Sequence, residues 1–301
     1  MHKETSMFYE RWMSYLKDDA KLCEIAIPGS HNAGTYGMKG IAKCQNGSLY
    51  EQYRYGVRYF DFRFHVGING RLVFEHGVMG GTPLKEGLLD IKRMIENNSS
   101  EFFIFKIHYP EVEYLIGKLG RRYKQDIDRV NREFQKYIEP EKYAFTDFSD
   151  ITAVTMGDIR KSGKRYILNW EKEGITGAVN VPVYDPWRPD YYGKKPDNFF
   201  AGILDFFRER PKKSMFCLYV QRTPGFGTEV GIKNPVSIEK DTRLKFHKFT
   251  EKISKTPELL HNANIFAGDF MTDSHHKTNL ILRLNKDKCL FSDSLPRIEL
   301  I

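Results

Sequence analysis

Short apolar runs recur along this chain, and most are followed by a loop and a longer amphipathic segment. The runs are rich in aromatic and β-branched residues and end in polar residues, which is typical of strands buried on both faces. Eight such runs are present, at 23–27, 57–66, 72–75, 101–108, 165–170, 178–183, 216–221 and 264–270.

Helical periodicity lies between several of these runs, at 84–97, 118–137, 199–208, 241–255 and 276–285. Strands that alternate with helices predict an α/β fold, and eight of them predict a distorted (β/α)8 TIM barrel. An open doubly wound sheet is the alternative, but the GxGxxG loop typical of such sheets is absent. The length of 301 residues suits one large domain, so we expect 1–301 to form a single barrel domain.

The chain is basic, with a formal net charge of +8. This balance favours acidic partners such as an anionic membrane surface or a phosphorylated substrate. The charge is spread along the chain, without an arginine-rich arm or zinc-finger spacing, so we expect no nucleic-acid partner.

The four cysteines, Cys23, Cys44, Cys217 and Cys289, lie far apart and form no CxxC pair. This spacing argues against a structural zinc site and a disulfide scaffold, and favours free thiols in a reducing compartment. Residues 1–16 lack the continuous apolar region of a secretory signal, and no stretch approaches the ~18 apolar residues of a membrane span. We therefore expect a cytoplasmic or peripheral membrane protein, or a secreted one whose leader has been removed.

Reactive side chains cluster at the ends of the predicted strands. In a parallel barrel the carboxyl ends of the strands form the face that carries the chemistry. The reactive side chains at the predicted strand ends are His31 and Asn32 after strand one, Asp61 and Arg63 on strand two, Glu75 and His76 on strand three, Lys106 and His108 on strand four, and Asp269 on strand eight. The clustering predicts an active site at this face.

His31 lies in the small-residue loop Pro28-Gly29-Ser30-His31-Asn32-Ala33-Gly34, and His76 precedes a glycine. Taken alone, either histidine could be a loop residue without a role. On adjacent parallel strands they would face one pocket, where one accepts a proton while the other donates one. A pair of histidines could also bind a metal with nearby carboxylates.

Asp61 and Arg63 share one face of their strand, because side chains alternate along a strand. Metal-dependent barrel phosphodiesterases are expected to have an acidic pair at these positions. Arg63 cannot be a metal ligand, but it can hold phosphate oxygens and stabilise charge in a transition state. A structural pair of Asp61 with Arg63 or with Arg58 is the alternative. Asp269 could orient a histidine, or it could be a turn residue.

The stretch 27–37, together with 57–63, His76 and Asp269, resembles the X domain of phosphatidylinositol-specific phospholipase C. The bacterial enzymes and the trypanosomatid glycosylphosphatidylinositol phospholipase C match best, the latter also through Cys44-Gln45-Asn46 and Gly56-Val57-Arg58-Tyr59. The similarity is specific over about 20–110 and weak over about 110–215.

The resemblance implies a distorted TIM barrel that cleaves phosphatidylinositol, or a glycosylphosphatidylinositol lipid, without a metal or other cofactor. It implies that His31 is the general base, oriented by Asp269, that Arg63 stabilises the phosphorane, and that His76 protonates the departing diacylglycerol. Residues assigned to headgroup binding are Lys106, Trp170 and Asp61. The products would be diacylglycerol and inositol 1,2-cyclic phosphate.

Asn32, which the resemblance also places among the catalytic residues, departs from the bacterial pattern, which has aspartate beside the first histidine. An amide can form hydrogen bonds but brings no charge to strengthen His76. Asn32 with Asp61 could also be the remains of a calcium site, although the positive charge of Arg63 argues against a cation there.

Two other functions stay open. A metal-dependent enzyme of the glycerophosphodiesterase or sphingomyelinase D kind would need acidic ligands where Arg63 stands. A catalytically silent inositol-lipid binding module would be compatible with Asn32. For membrane contact, the aromatic and basic loop 184–200, which includes Trp187, suits an anionic lipid interface, and we expect the protein to act as a monomer.

Overall fold

A computed structural model describes residues 3–67, 70–77, 79–108, 120–224, 228–231 and 233–296. Ten strands occur in this part of the chain. They are β1 (Ile27–Ser30), β2 (Tyr59–Val66), β3 (Leu72–His76), β4 (Met79–Pro83), β5 (Phe103–His108), β6 (Tyr166–Asn169), β7 (Ala178–Val179), β8 (Val183–Tyr184), β9 (Met215–Tyr219) and β10 (Ile265–Gly268).

Eight of these strands form one curled parallel sheet in the order β7-β6-β5-β2-β1-β10-β9-β8. The first and last strands of the chain are neighbours, with Ile27 opposite Ile265 and Ser30 opposite Gly268. Each further strand pairs with the next parallel strand along the chain, except that β7 and β8 do not pair with each other. The predicted α/β fold, a distorted (β/α)8 barrel, is confirmed, and the distortion is an opening between β7 and β8.

The run at 72–75 was expected to be the third parallel strand, and this prediction is wrong. It forms β3, which pairs antiparallel with the end of β2 and with β4. The reason is the short connection from Val66 to Leu72, whose turn is closed by a hydrogen bond from the Gly67 amide to the Arg71 carbonyl (2.8 Å). A parallel return needs a crossover of about a dozen residues. The third parallel strand is β5 instead.

Two other strand predictions need correction. The run at 178–183 is divided into the two short strands β7 and β8. The first strand begins only at Ile27, because side chains hold the backbone before it: Asn285 bonds both the amide and the carbonyl of Ala26 (2.7 and 2.9 Å), and the Asn264 amide donates to the Ile25 carbonyl (2.8 Å).

Twelve α-helices surround the sheet within the described ranges: α1 (Lys3–Arg11), α2 (Leu49–Arg54), α3 (Leu84–Asn97), α4 (Gly120–Ile138), α5 (Pro140–Tyr143), α6 (Met156–Ser162), α7 (Pro189–Tyr192), α8 (Pro196–Ile203), α9 (Phe206–Glu209), α10 (Pro235–Ser254), α11 (Pro257–Asn262) and α12 (His276–Asp287). Three short 3-10 helices lie at Trp12–Tyr15, Ala33–Gly37 and Gly40–Ala42. None of the helices in this part of the chain combines the length and the apolar character that crossing a bilayer requires.

The helical predictions are confirmed in position. The predicted and observed bounds of α3 are identical, while 199–208 is divided between α8 and α9 and α10 begins six residues earlier than expected. The predicted helix at 118–137 corresponds to α4, and its first two positions lie outside the described residues.

A buried ion pair ties the amino-terminal helix to the sheet. The Arg58 side chain is 1% exposed and contacts the Glu101 carboxylate at 2.6 Å. It also donates to the carbonyls of Tyr9, Tyr53 and Val57 at 2.8–3.0 Å. Arg58, just before β2, is therefore a structural arginine that pairs with Glu101 and not with Asp61.

His275, just before α12, is held between two aromatic rings. Its ring is stacked on Tyr9 at 3.8 Å and on Tyr55 at 4.3 Å between centroids. Neither ring nitrogen has a hydrogen-bond partner among the described residues. Burial in this sandwich lowers the pKa of His275 to about 4, so the ring is neutral at pH 7.

Candidate active site

The carboxyl ends of the central strands surround a cavity of about 300 Å³. Because parallel strands end at the same edge, residues far apart in the sequence meet there. The lining residues are His31, Asn32, Arg63, His76, Asp185, Trp187, Tyr219, Gln221 and Thr223. A second cavity of about 330 Å³ shares His31 and His76 with it. The two cavities together form one cleft around the two histidines.

His31 and Asp269 are neighbours because β1 and β10 pair directly. The His31 amide donates to the Gly268 carbonyl (3.1 Å), and Gln45 donates to the carbonyls of both residues (2.8 and 2.9 Å). The His31 ring thereby lies with Nδ1 at 2.8 Å from the Asp269 carboxylate. A carboxylate accepts a hydrogen bond at this contact, so Nδ1 carries the hydrogen and Nε2 keeps its lone pair.

Asn32 covers that lone pair. Its backbone is in the left-handed region (φ 45°), which asparagine tolerates better than most residues. The side-chain nitrogen lies 3.1 Å from His31 Nε2, and the backbone amide donates to Asp61 at 3.3 Å. The side-chain oxygen has no hydrogen-bond partner among the described residues. A substrate hydroxyl that reaches His31 would take the place of this amide.

Asp61 and Arg63 lie on one side of β2, as predicted. Arg63 contacts the Asp61 carboxylate at 3.3 Å, and the Tyr219 hydroxyl donates to it at 3.4 Å. Burial opposes ionisation of Asp61, but the charges of Arg63, His108 and His31 together outweigh it and hold the pKa of the carboxyl well below its usual range. Asp61 is fully buried, whereas the Arg63 side chain is 36% exposed. The guanidinium is therefore fixed at one edge and faces the cavity with the rest.

His76 reaches the site from the β3–β4 hairpin, so the expectation that it ends a parallel strand beside His31 is wrong. Its Nδ1 lies 3.0 Å from the Ala42 carbonyl and 3.6 Å from the Cys44 sulfur. Its ring stands nearly perpendicular to that of His31, with 6.3 Å between centroids. Burial, and next the positive charge that His31 can carry, lower the pKa of His76.

The three residues predicted to bind the headgroup, Asp61, Lys106 and Trp170, differ in their position relative to the cavity. Asp61 is fully buried behind the lining residues Arg63 and Tyr219, with which it forms hydrogen bonds, and does not itself line the cavity. Lys106 lies beside Asp61 on β5 and pairs with Glu171 at 2.7 Å, and it is not among the lining residues. Trp170 is buried, with its indole N–H donated to the Glu173 carbonyl at 3.3 Å. The structure therefore does not bring Trp170 to the cavity.

Several lining residues were missed by the sequence. Asp185 and Trp187 follow β8, a strand of two residues that is too short to show an alternating pattern. Burial, and next the charge of Asp61, raise the pKa of Asp185 to about 6. Trp187 was expected on a membrane-contact loop, and the structure places it in the cavity wall with 43% of its surface exposed. The only sequence signal for Asp185 was its position just after a short apolar run.

The chain is similar in sequence to bacterial proteins named 1-phosphatidylinositol phosphodiesterase. It is 37% identical over 220 residues to that of Staphylococcus aureus strain Newman, covering 62% of this chain and 66% of that protein. It is 30% identical over 227 residues to that of Listeria monocytogenes, covering 67% and 64%. The chain thus spans a little under two thirds of the length of these relatives. No family model matches it.

The fold agrees with solved structures of the same kind. A phosphatidylinositol-specific phospholipase C from S. aureus covers 92% of this chain and 97% of its own with a TM-score of 0.62 at 18% identity. The L. monocytogenes enzyme covers 92% and 98% with a TM-score of 0.59 at 21% identity.

The chain therefore has the α/β barrel fold of the solved bacterial phosphatidylinositol-specific phospholipase C structures. The chain is thus similar to the phosphatidylinositol-specific phospholipase C X-domain family. A particular closeness to the trypanosomatid branch stays a prediction.

Proposed function

We propose that the chain, as one catalytic barrel domain, cleaves phosphatidylinositol or a glycosylphosphatidylinositol lipid without a metal. The products are diacylglycerol and inositol 1,2-cyclic phosphate. The observation that carries this proposal is the 2.8 Å pair of His31 and Asp269 facing His76 across a cleft that Arg63 enters. The names of the bacterial relatives support the substrate class.

His31 is the proposed general base. Its Nε2 faces the cavity with a lone pair, because Asp269 holds the hydrogen on Nδ1. The inositol 2-hydroxyl displaces the Asn32 amide and gives its proton to Nε2, and the resulting imidazolium is stabilised by Asp269. The 2-oxygen attacks phosphorus as this proton leaves. The nucleophile belongs to the substrate, so the protein needs no nucleophilic serine or cysteine.

Arg63 is the proposed ligand of the phosphate oxygens. Its guanidinium is oriented by Asp61, and its Nε has no hydrogen-bond partner among the described residues. Fixed donors aimed at developing charge stabilise the transition state without reorganisation at the moment of reaction. Arg63 thus supplies beside the phosphate the positive charge that a metal supplies in metal-dependent phosphodiesterases.

His76 is the proposed general acid, which protonates the diacylglycerol oxygen as its bond to phosphorus breaks. With 6.3 Å between the rings, a charge on His31 disfavours a charge on His76 by about 2–3 kcal/mol at an effective dielectric of ~20. This is close to a hundredfold in acidity. His76 therefore becomes a stronger acid at the moment when His31 takes the hydroxyl proton.

The inositol ring is proposed to lie against Trp187 above Asp185. The exposed face of the indole suits the apolar face of a cyclitol, and the Asp185 carboxyl can accept hydrogen bonds from its hydroxyls. Lys106 and Asp61 support this wall from below, whereas Trp170 contributes through packing alone.

An anionic membrane surface is the proposed partner, contacted beside His76. Ile41 and Met79 are 57% and 39% exposed, and both line the second cavity with His76. Met79 pairs with His76 in the hairpin, and Lys39 and Lys43 flank Ile41 in the chain. These apolar side chains, flanked by lysines, suit insertion into an anionic lipid surface. They lie next to His76, the proposed acid that protonates the diacylglycerol oxygen.

The test is turnover of phosphatidylinositol vesicles in EDTA, with the product identified by ³¹P NMR. A cyclic inositol phosphodiester is expected from the wild type, and His31→Ala and His76→Ala should each lose at least about a hundredfold in rate. His247→Ala, on the exposed face of α10, is the matched control and should keep full activity.

The same assay separates the alternatives. Abolition of activity by EDTA, with restoration by a divalent cation, would favour a metal-dependent phosphodiesterase. Vesicle binding without any product would favour a silent lipid-binding module. Near wild-type activity of either histidine variant would contradict the proposed mechanism.

A further inference from the structure

Cys44 lies inside the proposed active site but has no part in the proposed reaction. Its side chain is 2% exposed and lines the second cavity with His31, His76 and Asp269. The sulfur lies 3.6 Å from His76 Nδ1 and 3.8 Å from the Asn32 side-chain nitrogen. A thiol in this position is a potential metal ligand next to the general base.

Three donor atoms of different chemistry converge there. One ligand atom each of His31, Cys44 and Asp269 lie within 4.8 Å of one another. Tetrahedral zinc with bonds of ~2.0–2.3 Å keeps its donor atoms about 3.3–3.6 Å apart. Side-chain rotations that move each donor atom by about 1 Å would therefore bring the three atoms to bonding positions.

The backbone at Cys44 holds the thiol in place. Its amide donates to the Thr35 hydroxyl oxygen at 3.0 Å, and its carbonyl accepts a hydrogen bond from the Phe270 amide at 2.8 Å. These bonds join the loop that carries Cys44 to the strand ends that carry His31 and Asp269. The three donors are thus held by one rigid framework.

We propose that His31, Cys44 and Asp269 form an inhibitory site for zinc or a similar thiophilic divalent cation. Thiolate and imidazole together select such cations over calcium and magnesium, which prefer oxygen ligands. Three protein ligands leave a fourth position open toward the cavity for water. Binding of the cation releases the thiol proton.

Inhibition follows whichever ring nitrogen of His31 the cation uses. A cation on Nε2 takes its lone pair directly, and a cation on Nδ1 replaces the hydrogen bond to Asp269 and moves the ring hydrogen to Nε2. That nitrogen then has no lone pair for the inositol hydroxyl. The inhibitory consequence rests on the proposed function, whereas binding of the cation does not.

Cobalt(II) is the probe for binding, because it adopts the tetrahedral geometry of zinc and a thiolate ligand gives it a charge-transfer band in the near ultraviolet. One equivalent is expected to bind to the wild type with this band, and zinc should displace it. Cys44→Ser should lose the band. Cys289→Ser, which removes the exposed free cysteine, is the matched control and should keep it.

A second variant tests the site without touching the thiol. Asp269→Asn should keep the band but weaken cobalt binding at least about tenfold. Absence of the band in the wild type, its loss in Cys289→Ser, or unchanged affinity in Asp269→Asn would each overturn the site. These outcomes hold even if Cys44→Ser does not fold.

An activity assay tests inhibition separately from binding of the cation. Zinc at concentrations that displace cobalt should lower wild-type turnover at least about tenfold relative to EDTA, and lower that of Cys44→Ser less than about twofold relative to its own rate in EDTA. A wild type that binds cobalt through Cys44 but has no turnover in EDTA would contradict the proposed function and leave the metal site standing. Turnover in EDTA without a cobalt band would contradict the metal site and leave the proposed function standing.

Discussion

Replacing Asp269 with asparagine changes one charge in the pair on which the proposed mechanism depends. The carboxylate lies 2.8 Å from His31 Nδ1 and is nearly buried. An asparagine has almost the same shape, so the loop should stay in place, as should the hydrogen bonds from Gln45 to the carbonyls of His31 and Gly268. What is lost is the negative charge that fixes the hydrogen on Nδ1 and stabilises the imidazolium.

The size of the loss can be worked from this distance. At ~3 Å and an effective dielectric of ~20, a carboxylate and a full imidazolium attract by about 5 kcal/mol. Only part of that charge has developed in the transition state, so about 3–5 kcal/mol should be lost there. Since 1.4 kcal/mol is a factor of ten, we expect kcat for Asp269→Asn to fall by about 10²–10⁴ with little change in KM.

The assay is steady-state cleavage of a soluble inositol phosphodiester in EDTA, which removes the membrane from the measurement. Asp273→Asn is the matched control, because Asp273 lies in the same loop but contacts Arg243 at 2.9 Å, away from His31. It should keep near wild-type kcat. A loss below about tenfold in Asp269→Asn, or an equal loss in the control, would refute the role given to this pair.

Three further predictions follow from individual contacts. Asn32→Asp should favour the protonated forms of both histidines and move the pH–rate profile upward by about 1–2 units; an unmoved profile would show that position 32 does not set the strength of His76. Trp187→Ala should lower kcat/KM about tenfold on soluble and vesicle substrates alike, whereas Ile41→Ala should lower it on vesicles alone; the opposite pattern would exchange their roles. His275 has a pKa of about 4 in the fold against 6.5 unperturbed, so it contributes stability above pH 6.5 that is lost as the pH falls toward 4, about 3 kcal/mol in all. His275→Phe should remove this part of the acid sensitivity in urea unfolding measured at pH 7 and pH 4, and an equal acid loss in both proteins would contradict it.

Periodicity was sufficient wherever local sequence decides the structure. The apolar positions of α3 recur at helical spacing, and its predicted bounds are those observed. The alternation in β2 placed Asp61 and Arg63 on one side, because the two-residue repeat of a strand does not depend on its neighbours. The number of parallel strands was also predicted correctly, although two errors, at β3 and at β7–β8, cancelled.

Pairing could not be read in the same way. A run such as β3 is apolar whether it joins a parallel barrel or an antiparallel hairpin, and only the short turn after Val66 decides between them. Trp170 shows the same limit: its position after a strand favoured the cavity, but its indole is turned toward Glu173. Side-chain direction at the end of a strand depends on the loop that follows.

By itself the sequence determined the α/β class, the helices, and the set of reactive residues at the strand ends, since each of these depends on local pattern. Tertiary structure alone decided which of them meet. It brought His31 to Asp269 through the pairing of the first and last strands, brought His76 in on a hairpin, and placed Trp187 and Cys44 in the cleft. The physical reason is that these contacts are made between segments far apart in the chain, whose approach is fixed by strand pairing and packing and leaves no repeat in the sequence.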